Sequence, residues 1–313
     1  MDKVIFDTNA YRYLVKNKSF DDIDKLIQKL KSREKANNID TLISPIVAKE
    51  LLAHVANKKD PSFEKCLKAI KALYLHSGND KSYNMIASPE LLISKSFFNK
   101  TIPIKEETNK SIGQMIFHLA TNPDKKTFNK LKKNLQSNYI HVSESEKNFA
   151  EQLRLFVFSV DPDSKSWQVF PNDKKKRENA LKQLRSEATT ESIALGFIFM
   201  VYQLLIFSGE IKIISNEELR KRAKSLAEMF PEPIALFKQV FENLINSEFN
   251  IYENSRANFV WDILLMFNVG NHNVQGSKLY FVTSDKAIIR TAISQKSNLS
   301  ILSFDEYMEY LKK

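Results

Sequence analysis

The sequence predicts an α/β fold in which a parallel sheet flanked by helices is interrupted by a large all-α insertion. Strand-then-helix segments occur near both ends of the 313-residue chain, while the middle reads as helices alone. Alternation of this kind is the order of a parallel sheet covered by helices. Two short apolar runs, Val4–Phe6 and Leu279–Val282, stop at polar triplets, as buried parallel strands do. Only 6 Gly and 9 Pro are present, too few for an architecture of many tight turns, and long Lys/Leu/Glu-rich stretches favour helices.

Taken in order, Val4–Phe6 is the first strand and ends at Asp7-Thr8-Asn9. Residues 11–15 and 20–31 read as helices; the second carries Ile23, Leu26, Ile27 and Leu30 at helical spacing. Thr41-Leu42-Ile43 reads as a second strand. Ser44 and Pro45 then open a helix, as N-cap and first residue, that presents Glu50. Helices are expected over 63–75, 110–120, 125–135, 144–159, 173–207, 217–230 and 233–245, punctuated by Pro103, Pro123, Pro162, Pro171 and Pro231. Residues 253–268 read as a helix containing Asp262. Residues 278–282 form a strand ending at Thr283-Ser284-Asp285, 286–294 a helix, 299–302 a last strand and 304–312 a last helix.

Composition narrows the class. Hydrophobic residues at 43% and charged residues at 27% suit a folded globular chain. Lys and Arg number 47 against 37 Asp and Glu, a net charge of +10 that favours anionic partners, nucleic acid first among them. The lysines are scattered, so plain solubility explains the charge equally well. Cys66, the single cysteine, cannot form an intrachain disulfide and reads as a structural thiol. The start of the chain lacks the basic and apolar regions of a signal peptide. The longest apolar run, residues 193–207, is interrupted by Gln203 and falls short of the roughly 20 residues needed to span a bilayer. It reads as a buried core helix, and the expectation is a cytoplasmic protein with no membrane partner.

Two strands ending in an Asp within a polar triplet place Asp7 and Asp285 where open α/β sheets bind ligands, at the carboxyl ends of strands. Glu50, on the helix after the second strand, and Asp262, on the helix before the third, can converge on the same end. Four close carboxylates raise one another's pKa. A divalent cation removes that cost, and oxygen-only ligands suit Mg2+ or Mn2+. Such ions activate water and stabilise charge on a phosphate, so the predicted reaction is metal-assisted hydrolysis of a phosphodiester.

The same residues resemble the PIN-domain nucleases, including the toxin ribonucleases of bacterial toxin–antitoxin pairs. Ile5-Phe6-Asp7-Thr8-Asn9 is similar to the family's opening strand, and Ser44-Pro45-Ile46-Val47-Ala48-Lys49-Glu50-Leu51 to the segment that supplies its Glu. Asp262-Ile263-Leu264-Leu265 is similar to the helix of the third acid, and Leu279–Lys286 to the strand ending in Thr-x-Asp. The resemblance implies that Asp7, Glu50, Asp262 and Asp285 bind the metal and its water, with Asn9 and Thr283 as polar supporters. It implies a PIN-like nuclease domain over 1–58 and 251–313 and a helical accessory insertion over 59–250. It also implies an endonuclease acting on single-stranded RNA rather than DNA, of the kind found in toxins and phage-defence effectors. The insertion would hold a neutralising protein partner, mediate homo-oligomerisation or shape the substrate channel.

Each residue also has a plainer reading. Asp7 and Asp285 could cap helices or turns. Glu50 could be solvated, as could Glu187 and Glu191 on one helix face and His54, four residues after Glu50. The five histidines show no metal spacing. Asn258 shares a helix face with Asp262 and reads as ligand-orienting or as surface. The basic stretches 125–133 and 174–177 could track a phosphate backbone or be solvated faces. Trp167, Phe170 and Trp261 could stack bases, or pack in the core. A catalytically silent binding module and a structure-specific DNA nuclease are the alternative functions.

Overall fold

Val4, Ile5 and Phe6 are almost wholly buried, the condition under which β-branched and aromatic side chains stabilise a strand covered on both faces. The structure, a computed structural model, describes residues 1–78, 84–160, 169–246, 259–269, 277–297 and 300–312. In chain order its elements are β1 (Asp2–Phe6), α1 (Thr8–Leu14), α2 (Asp22–Ala36), β2 (Ile39–Thr41), α3 (Pro45–Val55), α4 (Phe63–Ser77), α5 (Pro89–Ile93) and α6 (Pro103–Thr121). There follow α7 (Lys125–Val160), α8 (Val169–Asn172), α9 (Lys174–Arg185), α10 (Glu187–Phe207), α11 (Asn216–Met229) and α12 (Pro231–Ile245). The last are α13 (Phe259–Leu265), β3 (Leu279–Val282), α14 (Lys286–Ser294), β4 (Ile301–Leu302) and α15 (Phe304–Tyr310).

Among the described residues the four strands make one sheet in the order β2-β1-β3-β4, every pair parallel. The chain leaves β1 for β2 on one side and returns to β3 on the other. The carboxyl ends of β1 and β3 therefore form a switch point, the place where open sheets leave a crevice.

The chain divides into two compact units. The first comprises 1–88, 103–142 and 268–313; the second comprises 89–102 and 143–267. The boundaries expected at 58 and 251 thus do not coincide with this division. In particular, α4 packs on α1, α2 and α3, because Cys66, Ala69, Ile70 and Leu73 give it a continuous apolar face. In the first unit Phe6 sits at the centre, its ring 4.8 Å from His76, 5.3 Å from Tyr11 and 5.4 Å from Tyr307. The second unit is built on α10 and α11. Ala194, Ile198, Val201 and Leu205 of α10 pack with Leu219, Ala223 and Leu226 of α11.

Several expectations are corrected. The second strand is residues 39–41, earlier than 41–43, and Ile43 instead makes an isolated parallel bridge to Met85. The helices expected at 125–135 and 144–159 are one helix, α7, since no Gly or Pro interrupts residues 136–143. The helix expected over 173–207 is two, because Ser186 adopts an extended backbone and caps α10 through the Thr189 N–H. α10 is not the wholly buried core helix expected. It has 21 residues, and 22% of its most apolar stretch is buried. By length and composition alone it could cross a membrane, a test that core helices also pass. The helix bearing Asp262 is described from Phe259; its expected start lies outside the described residues, as do Trp167, Asn258 and His272.

Candidate acidic site

β1 and β3 run side by side with Phe6 opposite Val282. The register carries the next residues, Asp7 and Thr283, to the same edge, and the Asp7 N–H donates to the Val282 carbonyl at 3.0 Å. Asp7 is 3% exposed. Its Oδ1 accepts from the Ala10 N–H at 2.5 Å, capping α1, and its Oδ2 accepts from the Thr283 hydroxyl at 2.5 Å. Both oxygens are therefore held, and the carboxylate plane is fixed between one helix N-terminus and one strand end.

Asp285 lies two residues beyond Thr283. Its N–H donates back to the Thr283 hydroxyl at 3.0 Å, and its Oδ1 accepts from the Ala287 and Ile288 N–H groups at 2.7 and 3.0 Å. The capping role anticipated for Asp285 is thus real. Glu50 is half-buried on α3, and the Thr8 hydroxyl donates to its Oε2. The Asn138 amide, from α7, donates to the carbonyl of Lys49 at 2.9 Å and pins the backbone beside Glu50.

Electrostatics ties these groups together. Burial first, then the charges of Glu50 and Asp285, push Asp7 up to about 6 from an ordinary 3.8, against the lowering effect of its bonds from Thr283 and Ala10. Three of the four predicted acids therefore belong to one unit, and two of them, Glu50 and Asp285, act on Asp7. Asp262 is half-buried on α13 in the second unit, beside Trp261, whose indole N–H donates to Glu146 at 2.9 Å. Thr283, expected as a polar supporter, is fully buried. Asn9 is exposed.

The donor set is oxygen-only and acidic, which is the chemistry a hard divalent cation answers. The spacing is another matter: among the described residues no group of three or more His, Cys, Asp or Glu is placed to hold a metal ion. As they stand, the acids form an electrostatic cluster rather than a closed ligand cage.

The other candidates fall out plainly. Glu187 and Glu191 are exposed in the second unit. His54 pairs with Asp60 at 2.9 Å. Lys125, Lys126, Lys130, Lys132 and Lys133 are exposed on α7. Phe170 is buried against Phe156, and Trp261 is 4% exposed, so both pack as core. Cys66 is buried; burial pushes its thiol up, partly offset by Arg12, which donates to its Sγ at 3.2 Å.

Three features were not anticipated. Thr8 fastens Glu50, a role that its place in the Asp-Thr-Asn triplet hinted at. Beneath the sheet, Glu34 accepts from Tyr307 at 2.7 Å and Thr41 at 3.2 Å and pairs with His76 at 2.8 Å. Glu34 continues the row Ile23, Ile27 and Leu30 on the buried face of α2, so helical periodicity would have found it. Asn138 carries no sequence signal.

No protein-family model, curated protein or solved structure matches this chain.

Proposed function

We propose that the carboxyl end of the first unit's sheet is the active site of a metal-dependent endonuclease, PIN-like in fold, that hydrolyses phosphodiester bonds in single-stranded RNA. One observation carries the reading: Asp7 is buried at the end of the central strand, where burial above all, and then the charges of Glu50 and Asp285, raise it to about 6. Charges of one sign are not gathered at a switch point for stability, since each raises the cost of the others. Asp7, Glu50 and Asp285 would hold Mg2+ or Mn2+, and the resemblance adds Asp262 as the fourth acid. Such an ion, when bound, polarises a phosphoryl oxygen and supplies a nucleophilic water at neutral pH.

The protein's own contribution is positional. Thr283 and the Ala10 N–H orient Asp7, Thr8 orients Glu50, and the first turn of α14 orients Asp285. Support of this kind fixes the charge in place before any substrate arrives. The preference for RNA, and a role as a toxin or phage-defence effector checked by a neutralising protein, rest on the resemblance. The positive net charge supports an anionic substrate.

The test is cleavage of labelled RNA and DNA by purified protein with Mn2+, beside Asp7→Asn, Asp285→Asn and Asp262→Asn. The expectation is RNA cleavage abolished by Asp7→Asn. Equal cleavage by wild type and the Asp7 and Asp285 variants would remove this site from consideration. DNA cleaved in preference to RNA would replace the substrate but keep the chemistry.

A second reading is favoured by one observation: Asp7 and Asp285 each cap a helix, and no three acids among the described residues are spaced as ligands. On that reading the unit is a silent binding module. Thermal stability indifferent to excess Mn2+ supports it over the enzyme.

A further inference from the structure

We propose that the exposed side of α7 over residues 125–139 is the surface along which single-stranded RNA lies as it approaches the acidic site. The choice of RNA rests on the nuclease reading; the surface and its charge do not.

The first half of α7 belongs to the same unit as Asp7, Glu50 and Asp285. Its inner side is Leu131, Leu135, Asn138 and Val142, all buried. Its outer side carries Lys125, Lys126, Lys130, Lys132 and Lys133, all exposed. Residues 125–142 contain these five lysines and no Asp or Glu. Asp124, just before them, is engaged as a cap: its carboxylate accepts from the Thr127 N–H at 2.7 Å. None of the five lysines makes a salt bridge among the described residues.

A solvated helix face usually mixes the two signs, and the other basic helices do so. On α11, Arg222 pairs with Glu218 at 3.0 Å; on α9, Lys174 lies 3.8 Å from Glu178, and Arg185 pairs with Glu242. The lysines of α7 are instead left to mobile counterions, which a polyanion displaces with a gain in free energy. The basic surface also continues beyond the helix. Lys58 Nζ stands 5.3 Å from the centre of the Phe128 ring, and Lys58 and Lys59 are both exposed. These two follow α3, the helix that carries Glu50.

Two features select a single strand among polyanions. The Asn138 amide donates to the Lys49 carbonyl at 2.9 Å, which ties α7 to the backbone beside Glu50. With a rise of about 1.5 Å per residue, Lys133 lies about 8 Å and Lys125 about 20 Å along the axis from Asn138. The charge therefore runs up to the point where the helix meets the site. The second feature is Tyr139, which is 46% exposed. It follows Lys125 and Lys132 at intervals of seven residues, so the three stand in one row along the helix. An exposed ring at the end of a lysine row offers a platform to an unpaired base. A duplex hides its base faces, and an acidic polypeptide has none.

Fluorescence anisotropy of a short labelled single-stranded RNA with the full chain, in EDTA, reads binding without cleavage. Changing Lys125, Lys126, Lys130, Lys132 and Lys133 together to Gln is expected to weaken binding roughly tenfold or more at low salt. It should also flatten the dependence of log Kd on log salt by about 3, since each phosphate contact on a single strand contributes about 0.7. Tyr139→Ala is expected to weaken binding about tenfold and leave the salt dependence unchanged. Changing Lys174, Lys175, Lys182, Lys221 and Lys224 to Gln removes the same charge from exposed positions of the second unit, and should alter binding little. Equal weakening by the two sets overturns the proposal, as does duplex RNA or polyglutamate that competes as well as the single strand. The nuclease reading fails separately. RNA held through α7 but left uncut with Mn2+ keeps this surface and removes the enzyme; cleavage with unchanged KM in the α7 variant keeps the enzyme and removes this surface.

Discussion

The Thr283 hydroxyl donates to Asp7 Oδ2 at 2.5 Å across the boundary between two parallel strands, and its own oxygen accepts from the Asp285 N–H at 3.0 Å. One small side chain therefore couples the two strand-end acids. Thr283→Val keeps the shape and removes the donor. Asp7 should then titrate above its present value of about 6, because a bond that favours its ionised form is gone. Stability should fall by about 1–3 kcal/mol, the cost of a buried acceptor left without its partner. The loss should be larger at pH 8, where Asp7 is charged, than at pH 5. Thr283→Ser should restore most of it. Denaturant melts at the two pH values measure both effects, and equal losses at pH 5 and 8 would show that the bond does not serve the charge.

Asp7 itself should make the protein less stable as pH rises. Its folded value of about 6 lies above the ordinary 3.8, so the folded state holds the proton more tightly than the unfolded chain. The stabilisation is complete below about 3.8, declines between there and 6, and is absent above. Roughly two units correspond to about 3 kcal/mol. Asp7→Asn removes the charge and keeps an oxygen for the Ala10 N–H. It should therefore melt higher than wild type at pH 7–8, even while it abolishes cleavage. An Asp7→Asn protein that melts lower at pH 8 would mean the carboxylate is stabilised by a group other than those around it here.

Divalent metal should reverse that instability. A cation that binds only the folded state at about 100 times its dissociation constant adds about 2.7 kcal/mol. Mn2+ is expected to raise the melting temperature of wild type at pH 7.5 and not of Asp7→Asn, with Asp285→Asn between them. Asp262→Asn separates the fourth acid from the rest: a full Mn2+ shift together with full cleavage would drop Asp262 from the ligand set. Calcium, which likes the same donors at longer distances, should raise the melting temperature while supporting cleavage poorly.

What could be read from the sequence, and what could not, divides along physical lines. Strand ends were legible because an apolar run that stops at Asp7-Thr8-Asn9 or Thr283-Ser284-Asp285 has one sensible place in a parallel sheet. Adjacency was not: that β1 pairs with β3 in a register setting Phe6 beside Val282 depends on long-range packing. The caps at Ser186 and Asp285 follow local chemistry, yet Ser44, expected to cap α3, makes no capping bond, and its hydroxyl is buried without a partner. The uninterrupted α7 shows the converse. Residues 136–143 mix polar side chains with Tyr139, Ile140 and Val142 and contain no Gly or Pro, so nothing in them ends a helix. The exposure of α10 was hidden because composition reports how apolar a segment is, not which of its faces finds a partner.

The buried pair of Glu34 and His76 gives the last prediction. His76 Nε2 lies 2.8 and 2.9 Å from the two Glu34 oxygens, and its Nδ1 is 3.2 Å from the Tyr11 hydroxyl. Glu34 and His76 are 2% and 1% exposed. Removing either partner leaves the other polar group in the core without its bond, so Glu34→Leu and His76→Leu should each cost about 3–5 kcal/mol. Replacing both exchanges a desolvated polar pair for apolar packing against Phe6, whose ring already lies 4.8 Å from His76. The double variant should therefore be far more stable than the two single losses summed, a coupling that a double-mutant cycle reads directly. Because Glu34 and His76 make none of the bonds that hold Asp7, Glu50 or Asp285, whatever cleavage wild type shows should survive in the double variant. Additive losses would mean that each group is supported by its tyrosine rather than by the other.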